Sequence, residues 1–562
     1  MKYPRLAIFI GCSVLLGLAG CSSPSSSDFP IIPAIVNTLQ AGGSAQQESS
    51  SQATPPSGGT AASSVWVHPA LPLSLLQNVS LPDSFSQESQ AGAADVRIEV
   101  GEQNIYSRWV YALVAPFPTI IDGVSFEEIK DAWVGDPSGH FSGQPLLMDE
   151  DTLELFSLWW GEPADGAVRT RSSSRLLGYA WDHRPSWALV PFEELSPNWK
   201  VLQVDGLSPL FQEFDPENYS LSLPVSLHGT DQALVGELNL NYGPGSAKPL
   251  MRPSNRDASK LTTLVMTGVT ALARATAWEM ENKGINFPAE YVGEFLASAD
   301  LTHISNEVPF LESCPPPDPN QTSLVFCSHP RYIELLITVG ADVIELTGDH
   351  FGDWGDKGME YTLRLYDQMG WPYYGGGYND ELARQAVLLE HNGNRLAFIG
   401  CNGKGGGYST AGEDEPGAVE CDYEWLAEEI SHLRGEGYLV IMTFQHLEYY
   451  NYKPQALQLR DFRPMAEAGA VIVSGSQAHQ AQGIEFLDGG VIFYGLGNLF
   501  FDQLTVTDET ARALIVRHVF YDGRHISSEL FTIIFETYSQ PRFMDAEERQ
   551  DLLAKVFEGS GW

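Results

Sequence analysis

The sequence predicts an α/β protein whose C-terminal part is a multilayer domain. From Lys260 to Gly495, short β-branched runs that end in glycine or polar residues alternate with helical stretches, which is typical of layered α/β architecture. The 562 residues are too many for a single domain. Their 43% hydrophobic and 11% aromatic content indicates folded domains that can each bury a core.

The N-terminus predicts a signal peptide over residues 1–20. Lys2 and Arg5 precede an apolar run that is too short for a comfortable transmembrane helix. The run ends Leu18-Ala19-Gly20-Cys21, which resembles the lipobox of bacterial lipoproteins and implies lipid attachment to the Cys21 thiol. An ordinary secretory signal with an incidental cysteine is the alternative. We expect an extracytoplasmic protein that a lipid anchors to the bacterial cell membrane without spanning it.

Three segments are predicted between the signal peptide and the layered domain. Residues 21–64 are rich in Ser, Gln, Gly, Ala, Thr and Pro, which predicts a disordered tether. Residues 65–249 are predicted to form a smaller α/β module, with one helix capped by Ser125. The order of strands and short helices there resembles type II periplasmic solute-binding proteins, and a binding or packing role is expected. Residues 250–260 have the composition of a linker.

Residues 261–535 are predicted to form the layered domain, and residues 536–562 a C-terminal helix or tail. Apolar runs and helical periodicity define the elements of the domain. The predicted strands are 260–269, 301–307, 342–347, 395–400, 438–444, 470–475 and 491–495, and the predicted helices are 291–299, 331–339, 356–369, 423–435 and 455–468.

Polar residues follow these strands, at the edge where α/β sheets bind ligands. Asn, Asp, Glu and His at successive strand ends are ligand types of a Zn, Mn or Fe site. Each residue alone has a structural explanation, such as a loop-forming Asn or a core imidazole, but their recurrence favours a site. The candidate metal ligands are Asn306, Glu307, Asp349, His350, His446 and His479, and the candidate catalytic residues are His350, His479 and Glu448.

Residues 261–503 resemble the CapA family, which is named for poly-γ-glutamate capsule synthesis and has a calcineurin-like metallophosphatase fold. The resemblance implies an α-β-β-α sandwich. Its most specific motif is Tyr494-Gly495-Leu496-Gly497-Asn498-Leu499-Phe500-Phe501-Asp502. The family's other motifs match Gly348-Asp349-His350 with Asp353-Trp354-Gly355, Gln445-His446-Leu447-Glu448-Tyr449, and Gly475-Ser476-Gln477-Ala478-His479.

Two departures from the family pattern affect the expected chemistry. Val269 stands where the family has an aspartate that commonly bridges two ions, and Gln477 replaces the first histidine of a pair. A two-metal site needs both, so dimetal phosphoesterase activity is not expected. The remaining residues could hold one divalent metal. Alternatively, His350 and His479 act without metal as general acid–base groups, with Glu448 or Glu307 as the base.

Four cysteines remain after removal of Cys12 and Cys21. An even number in an exported protein predicts two disulfides, most simply between neighbours in sequence, Cys314 with Cys327 and Cys401 with Cys421. A zinc site is the rival, but the spacing contains no Cys-x-x-Cys.

The formal net charge of −40 argues against nucleic-acid partners and against docking on anionic lipid headgroups. The resemblance implies a surface polymer or its precursor as the partner, together with capsule-synthesis machinery. Two hypotheses remain. The protein is either a lipid-anchored enzyme that cleaves or transfers a poly-γ-glutamate-type polymer, or a non-catalytic module that binds a polymer or another ligand in the same cleft.

Overall fold

The computed structural model describes residues 63–405 and 407–562. The predicted signal peptide and Cys21 lie outside these residues, as does the predicted tether apart from its last two positions. Within the described ranges, no helix combines the length and apolar character needed to cross a membrane.

The N-terminal module is built on a nine-stranded mixed sheet. The strands of the whole module are β1 (Ser63–Val67), β2 (Phe85–Gln87), β3 (Val96–Val100), β4 (Ile105–Pro116), β5 (Gly123–Val124), β6 (Leu146–Met148), β7 (Val168–Thr170), β8 (Trp187–Pro191), β9 (Trp199–Val201), β10 (Gln203–Val204) and β11 (Ser222–Gly229). Its helices are α1 (Leu73–Leu76), α2 (Phe126–Val134), α3 (Glu150–Trp160), α4 (Ser173–Asp182) and α5 (Gln232–Tyr242). The sheet order is β2-β1-β3-β11-β4-β8-β6-β7, with β9 paired to β4, while β5 and β10 form a separate pair.

Helix α2 begins as the sequence predicts. The Ser125 side chain accepts a hydrogen bond from the Glu128 backbone N–H, and the Glu128 carboxylate accepts one from the Ser125 backbone. This reciprocal capping box satisfies two donors that a helix start leaves free. The helix ends at Gly135, whose φ of 85° is the left-handed conformation that glycine adopts most easily.

Residues 250–260 are packed against the module. Leu250 and Met251 are buried in its core. The Asn255 side chain accepts from the Val110 backbone N–H at 2.7 Å and donates to the Val110 carbonyl at 2.9 Å. The segment therefore joins the two parts of the chain through specific contacts, in addition to its linker-like composition.

The C-terminal part contains two further main sheets. Its strands are β12 (Leu261–Thr270), β13 (Leu301–Asn306), β14 (Val343–Glu345), β15 (Tyr373–Tyr374), β16 (Gly376–Gly377), β17 (Val387–His391), β18 (Asn394–Asn402), β19 (Gly417–Ala418), β20 (Leu439–Gln445), β21 (Ile472–Gly475), β22 (Ile484–Leu487), β23 (Gly490–Phe493), β24 (Asn498–Phe500), β25 (Arg512–Tyr521), β26 (Arg524–Phe535) and β27 (Pro541–Phe543). Its helices are α6 (Arg274–Lys283), α7 (Gly293–Ala297), α8 (Ile333–Thr338), α9 (Gly355–Met369), α10 (Asp380–Ala383), α11 (Tyr423–Gly435), α12 (Ala456–Glu467) and α13 (Ala546–Gly559).

The two sheets pack face to face between layers of helices. The first sheet has the order β15-β14-β13-β12-β25-β26-β27, with β24 on β12, and the second has the order β17-β18-β20-β21-β23-β22. Along β12, Leu264 and Met266 enter the core between the sheets, whereas Val265 packs on the helix side. On β20, Ile441 faces the same inter-sheet core and Val440 the helices α11 and α12. This period of two buries both faces of each strand and confirms the α-β-β-α sandwich.

The hairpin of β25 and β26 was not among the predicted strands. It pairs antiparallel with β12 and widens the first sheet. Its turn contains Asp522 and Gly523 with φ of 50° and 74°, and Asp-Gly between apolar runs is a strong hairpin signal in a sequence. Beyond the hairpin, α13 packs its Leu552 and Phe557 into the inter-sheet core beside Phe117 of the N-terminal module.

Candidate active site at the strand ends

A cleft of about 600 Å³ lies at the carboxyl ends of the parallel strands of the sandwich. Strand β13 leads into it at Glu307, β14 at Asp349 and His350, and β20 at Glu448. Because parallel strands end at the same edge of a sheet, residues far apart in sequence meet there. Five predicted site residues line the cleft: Glu307, Asp349, His350, Glu448 and His479.

Glycine allows the β14 loop to lie against the end of β13. A Cβ atom at Gly348 would stand 2.6 Å from the carbonyl oxygen of Glu307, closer than side-chain carbons approach backbone. The same holds at Gly352, where a Cβ would collide with the carbonyl oxygen of Tyr408. These close contacts bring Asp349 and His350 beside Glu307.

The His350 imidazole is oriented by a buried carboxylate. Its Nδ1 lies 2.8 Å from Oδ2 of Asp353, whose side chain is fully buried. Asp353 also accepts hydrogen bonds from the Phe326 backbone N–H at 2.6 Å and from the Tyr408 hydroxyl at 2.7 Å. Burial alone lowers the pKa of His350, but the hydrogen bond to Asp353 and the nearby carboxylates outweigh it and raise the pKa above its ordinary value. The second ring nitrogen, Nε2, remains available to the cleft.

Lys404, which the sequence interpretation missed, lies at the centre of the site. Its Nζ donates to Oδ2 of Asp349 at 2.6 Å and contacts Oε1 of Glu448 at 3.3 Å. Burial lowers the pKa of the ammonium, and the charges of Asp349 and Glu448 reverse this to a net rise. Lys404 follows β18 in a glycine-rich loop, Cys401-Asn402-Gly403-Lys404-Gly405. The sequence did contain a signal for Lys404, because it follows a predicted strand closely, as the predicted site residues do.

Two glutamine amides donate to the same carboxylates. Nε2 of Gln445 lies 2.9 Å from Oδ1 of Asp349 and 3.1 Å from Oε1 of Glu307. Nε2 of Gln477 donates to Oε1 of Glu448 at 3.0 Å. Gln477, which replaces a family histidine, therefore stabilises a carboxylate through its N–H. Its amide nitrogen has no free lone pair and so cannot bind a metal as an imidazole nitrogen can.

Glu307 has the least satisfied carboxylate of the site. It is 1% exposed, and its Oε2 is buried without a hydrogen-bond partner. Burial raises the pKa of Glu307, and the neighbouring His350 opposes that rise. Ligand atoms of Glu307, Asp349 and His350 all lie within 4.8 Å of one another. These three residues form the one group in the described ranges that could hold a metal ion.

The remaining predicted site residues have local partners. Nδ1 of His479 lies 2.8 Å from Oδ1 of Asn498, and burial lowers the pKa of His479. Nε2 of His446 lies 2.9 Å from Oδ2 of Asp461, so the described structure places His446 behind the cleft wall. The Asn306 amide donates to the carbonyl of Val308 at 2.9 Å and is likewise outside the cleft lining.

Backbone strain is concentrated at the cleft. Among the described residues other than glycine, Asn and Asp, left-handed φ occurs at Arg274, Gln477 and His479, with values of 44°, 47° and 48°. All three line the cleft. Left-handed backbone costs of order 1 kcal/mol or more at such residues, and it clusters where function requires the side chain to point in one direction.

The end of β12 is apolar where the family pattern has its first carboxylate. Val269 is fully buried and pairs with Ser305 and Asn498 of neighbouring strands. It forms a small hydrophobic cluster with Ala271, Ala273, Val308, Phe326 and Phe501. This surface offers no ligand for a second ion. Among the described residues, Glu307, Asp349 and His350 are the group whose donor atoms lie close enough together for one divalent metal.

Both predicted disulfides are confirmed, and each closes a loop that forms a wall of the cleft. The Cα atoms are 5.8 Å apart in Cys314–Cys327 and 5.1 Å apart in Cys401–Cys421. The first loop contributes Leu324 and Phe326 to the lining, and the second contributes Lys404 and Tyr408. The bridges therefore restrain the walls that position the polar centre.

Taken together, the fold and the cleft define a two-sheet α/β sandwich protein with a polar site at the strand ends. Residues 263–503 match the family described as bacterial capsule synthesis protein PGA_cap. The chain is 26% identical over 254 residues to the capsule biosynthesis protein CapA of Bacillus anthracis, covering 44% of this chain and 62% of that protein. It is 26% identical over 226 residues to the PGA biosynthesis protein CapA of Bacillus subtilis strain 168, covering 40% and 59%. The family match falls on the segment whose motifs resemble the CapA family, and the aligned segment spans less than two thirds of each of these relatives.

Solved structures share parts of the fold at low similarity. The 5'-nucleotidase precursor from Thermus thermophilus is 12% identical with a TM-score of 0.32, covering 52% of this chain and 58% of that one. The NAD nucleotidase of Haemophilus influenzae is 8% identical with a TM-score of 0.30, covering 52% and 55%. A phosphate transport receptor from Vibrio cholerae matches 26% of this chain and 73% of its own, at 14% identity and a TM-score of 0.21. The solute-binding resemblance of residues 65–249 stays a prediction.

Proposed function

We propose that this protein is a lipid-anchored component of capsule or surface-polymer biosynthesis or processing, and that its cleft holds and acts on a poly-γ-glutamate-type polymer. Membership of residues 263–503 in the capsule synthesis family supports the polymer class. The partners on this proposal are the polymer or its precursor and the capsule-synthesis machinery, and contact with the membrane is through the lipid alone.

The observation that carries the proposal is the oriented His350 imidazole beside Glu307 in a strained cleft. Its Nδ1 is held by Asp353, which leaves Nε2 for proton exchange with a bound amide. Glu307 supplies a second carboxyl group with one oxygen free of partners. Glu448 instead accepts hydrogen bonds from Lys404, Gln477 and the Tyr450 hydroxyl, which suits a positioning role better than that of a base.

The charges in the cleft fit an acidic, amide-linked chain despite the net charge of −40. Arg274, His350 and Lys404 line the cleft, and each lies beside a carboxylate. A surface with both signs of charge can pair with polymer carboxylates and also accept hydrogen bonds from polymer amides.

The test uses the mature chain and γ-linked glutamate oligomers labelled at one end. We expect the wild type to bind the oligomers and change their length distribution, measured by mass spectrometry, and His350→Ala to lose the length change. His432→Ala, an exposed histidine on α11, is the matched control and should behave as the wild type. Absence of both binding and length change in the wild type would overturn the proposal.

A non-catalytic binding role is the second candidate. The apolar cluster at Val269, in place of the family's carboxylate, and the carboxylates already engaged by Lys404 favour it. Under this role, His350→Ala retains oligomer binding, and a host that carries it makes as much capsule polymer as the wild type. Loss of polymer together with retained binding would instead assign turnover to the cleft.

Lipid anchoring at Cys21 is proposed from its lipobox-like surroundings, and it concerns a position outside the described residues. We expect Cys21→Ala to move the protein from the membrane fraction to the soluble extracytoplasmic fraction, measured by immunoblotting. Unchanged membrane association in this variant would rule out the lipid anchor.

A further inference from the structure

The Lys404 ammonium stands between two carboxylates that come from different strand ends. It contacts Asp349, which follows β14, at 2.6 Å and Glu448, which follows β20, at 3.3 Å. Bridging carboxylates from separate strands is the task that a bound metal performs in sites of this type. A lysine can supply the positive charge but has no position open for a substrate oxygen.

The backbone holds Lys404 in this place. The Lys404 N–H donates to Oδ1 of Asn402 at 2.9 Å. The Gly403 N–H donates to the carbonyl of Gln445 at 2.6 Å, which ties the loop to the end of β20. The Asn402 N–H donates to the carbonyl of Val419, and the Cys401–Cys421 bridge closes the loop. These contacts fix the backbone at Lys404, and the ammonium itself is held by Asp349 and Glu448.

The carboxylates that face Lys404 are also occupied by N–H and O–H donors. Asp349 accepts from Lys404 on one oxygen and from Gln445 on the other. Glu448 accepts from Gln477 and the Tyr450 hydroxyl as well as from Lys404. Each carboxylate oxygen keeps a second lone pair, but a metal ion bound through Asp349 would lie within a few ångströms of the Lys404 ammonium, and the two positive charges would repel each other.

We propose that Lys404 is a built-in cation that takes the place of a divalent metal between Asp349 and Glu448, so that the cleft of this protein is organised without one. Glu307, Asp349 and His350 keep the donor types for an ion, but Asp349 is shared with the lysine. Lys404 is thus a positioning residue of the site. This inference rests on the geometry of the site and is independent of the polymer.

The experiment measures metal affinity in the mature chain. Wild type, Lys404→Met and Lys260→Met are treated with chelator, dialysed against Mn²⁺ or Zn²⁺, and analysed for bound metal and for melting temperature. Lys260 pairs with a single carboxylate, Asp522, at 2.9 Å on the surface and is the matched control.

We expect the wild type and Lys260→Met to retain little metal, and Lys404→Met to bind close to one equivalent with about 100-fold higher affinity, because a nearby positive charge is removed. Metal should raise the melting temperature of Lys404→Met alone. Lys404→Arg keeps the charge and should remain nearly metal-free.

Stoichiometric metal in the wild type would overturn the inference, whatever the variants do. Equal affinities for wild type and Lys404→Met would also overturn it. If Lys404→Met does not fold, the wild type and Lys404→Arg still decide the question, because one equivalent of metal in either contradicts a built-in cation.

Discussion

The sandwich contains two buried polar clusters that differ in charge and strain. One is the cleft site around His350 and Lys404. The other, here called the inter-sheet cluster, lies between the two sheets and comprises His303, Tyr374, Thr443, His518, His525 and Ser528. In the inter-sheet cluster, Nε2 of His303 lies 2.7 Å from the Tyr374 hydroxyl, and Nδ1 of His518 lies 2.9 Å from Oγ of Ser528. In the cleft site, by contrast, charged side chains pair with one another, as Lys404 does with Asp349.

The difference follows from the hydrogen-bond partners available to each imidazole. Burial lowers the pKa of His303 to about 3 and that of His525 to about 4. The buried Glu345 carboxylate lies 3.8 Å from Nε2 of His303, which is beyond hydrogen-bond distance. Burial lowers the pKa of His350 too, but its hydrogen bond to Asp353 and the nearby carboxylates outweigh burial and raise that pKa above its ordinary value. Neutral, bonded rings belong to a structural core, whereas a strained set of paired charges open to a cavity is typical of a site.

The largest expected effect is on function in the cleft. His350→Ala should lower the proposed polymer processing by about 10²–10⁴-fold, which is the usual contribution of a general acid–base group. Its free energy of unfolding should also fall, because the fully buried Asp353 carboxylate loses its imidazole partner, so the rate is compared per folded molecule. The rate is measured with labelled γ-glutamate oligomers and the stability by denaturant unfolding. A rate equal to that of His432→Ala would contradict the assignment of processing to the cleft site.

Removal of the bridge that closes the Lys404 loop should cost about 3 kcal/mol of unfolding free energy on the loop-entropy model. The change is Cys401→Ala with Cys421→Ala, measured by urea unfolding. Oligomer binding should weaken as well, because the loop carries Lys404 and Tyr408. The Cys314→Ala, Cys327→Ala pair is the comparison for the opposite wall, and normal binding in both pairs would show that the walls need no restraint.

The inter-sheet cluster should make the protein sensitive to acid. The ordinary histidine pKa is 6.5, and that of His303 is about 3 in the folded protein. The unfolded chain therefore binds more protons below pH 6.5, and the unfolding free energy should fall by about 2 kcal/mol for this residue between pH 7 and pH 5. Asp342, whose pKa burial raises to about 6, acts in the opposite direction.

The residue-specific measurement compares wild type with His303→Gln at pH 7 and pH 5. The variant should lose about 2 kcal/mol less on acidification, because it has no ring to protonate. The same loss in both proteins would show that His303 is not held neutral in the folded state.

The smallest effect is expected for Tyr374→Phe. The Tyr374 hydroxyl lies 2.7 Å from the His303 ring and 2.9 Å from the Thr443 hydroxyl. Its removal should cost about 1 kcal/mol, the usual net contribution of a hydrogen bond, and should leave oligomer binding unchanged. A binding defect comparable with that of His350→Ala would connect the two clusters functionally.

Much of the fold was predictable because hydrophobic periodicity is a local property. The predicted helix 423–435 coincides with α11, and the predicted strand 260–269 becomes β12 with a shift of one residue. The hairpin Arg512–Phe535 was missed although its Asp-Gly turn is visible in the sequence. The site was predicted in part, since the polar ends of β13 and β14 are visible as residues that follow apolar runs.

By itself the sequence determined the layered α/β class, the likeness of residues 263–503 to the capsule synthesis family, both cysteine pairs and the strand ends that carry Glu307, Asp349 and His350. These features depend on short patterns and on fixed motif order. Only the tertiary structure decided which polar residues meet. It placed Lys404 between Asp349 and Glu448 and turned His446 toward Asp461, because such pairings depend on loop paths and strand order across tens of residues.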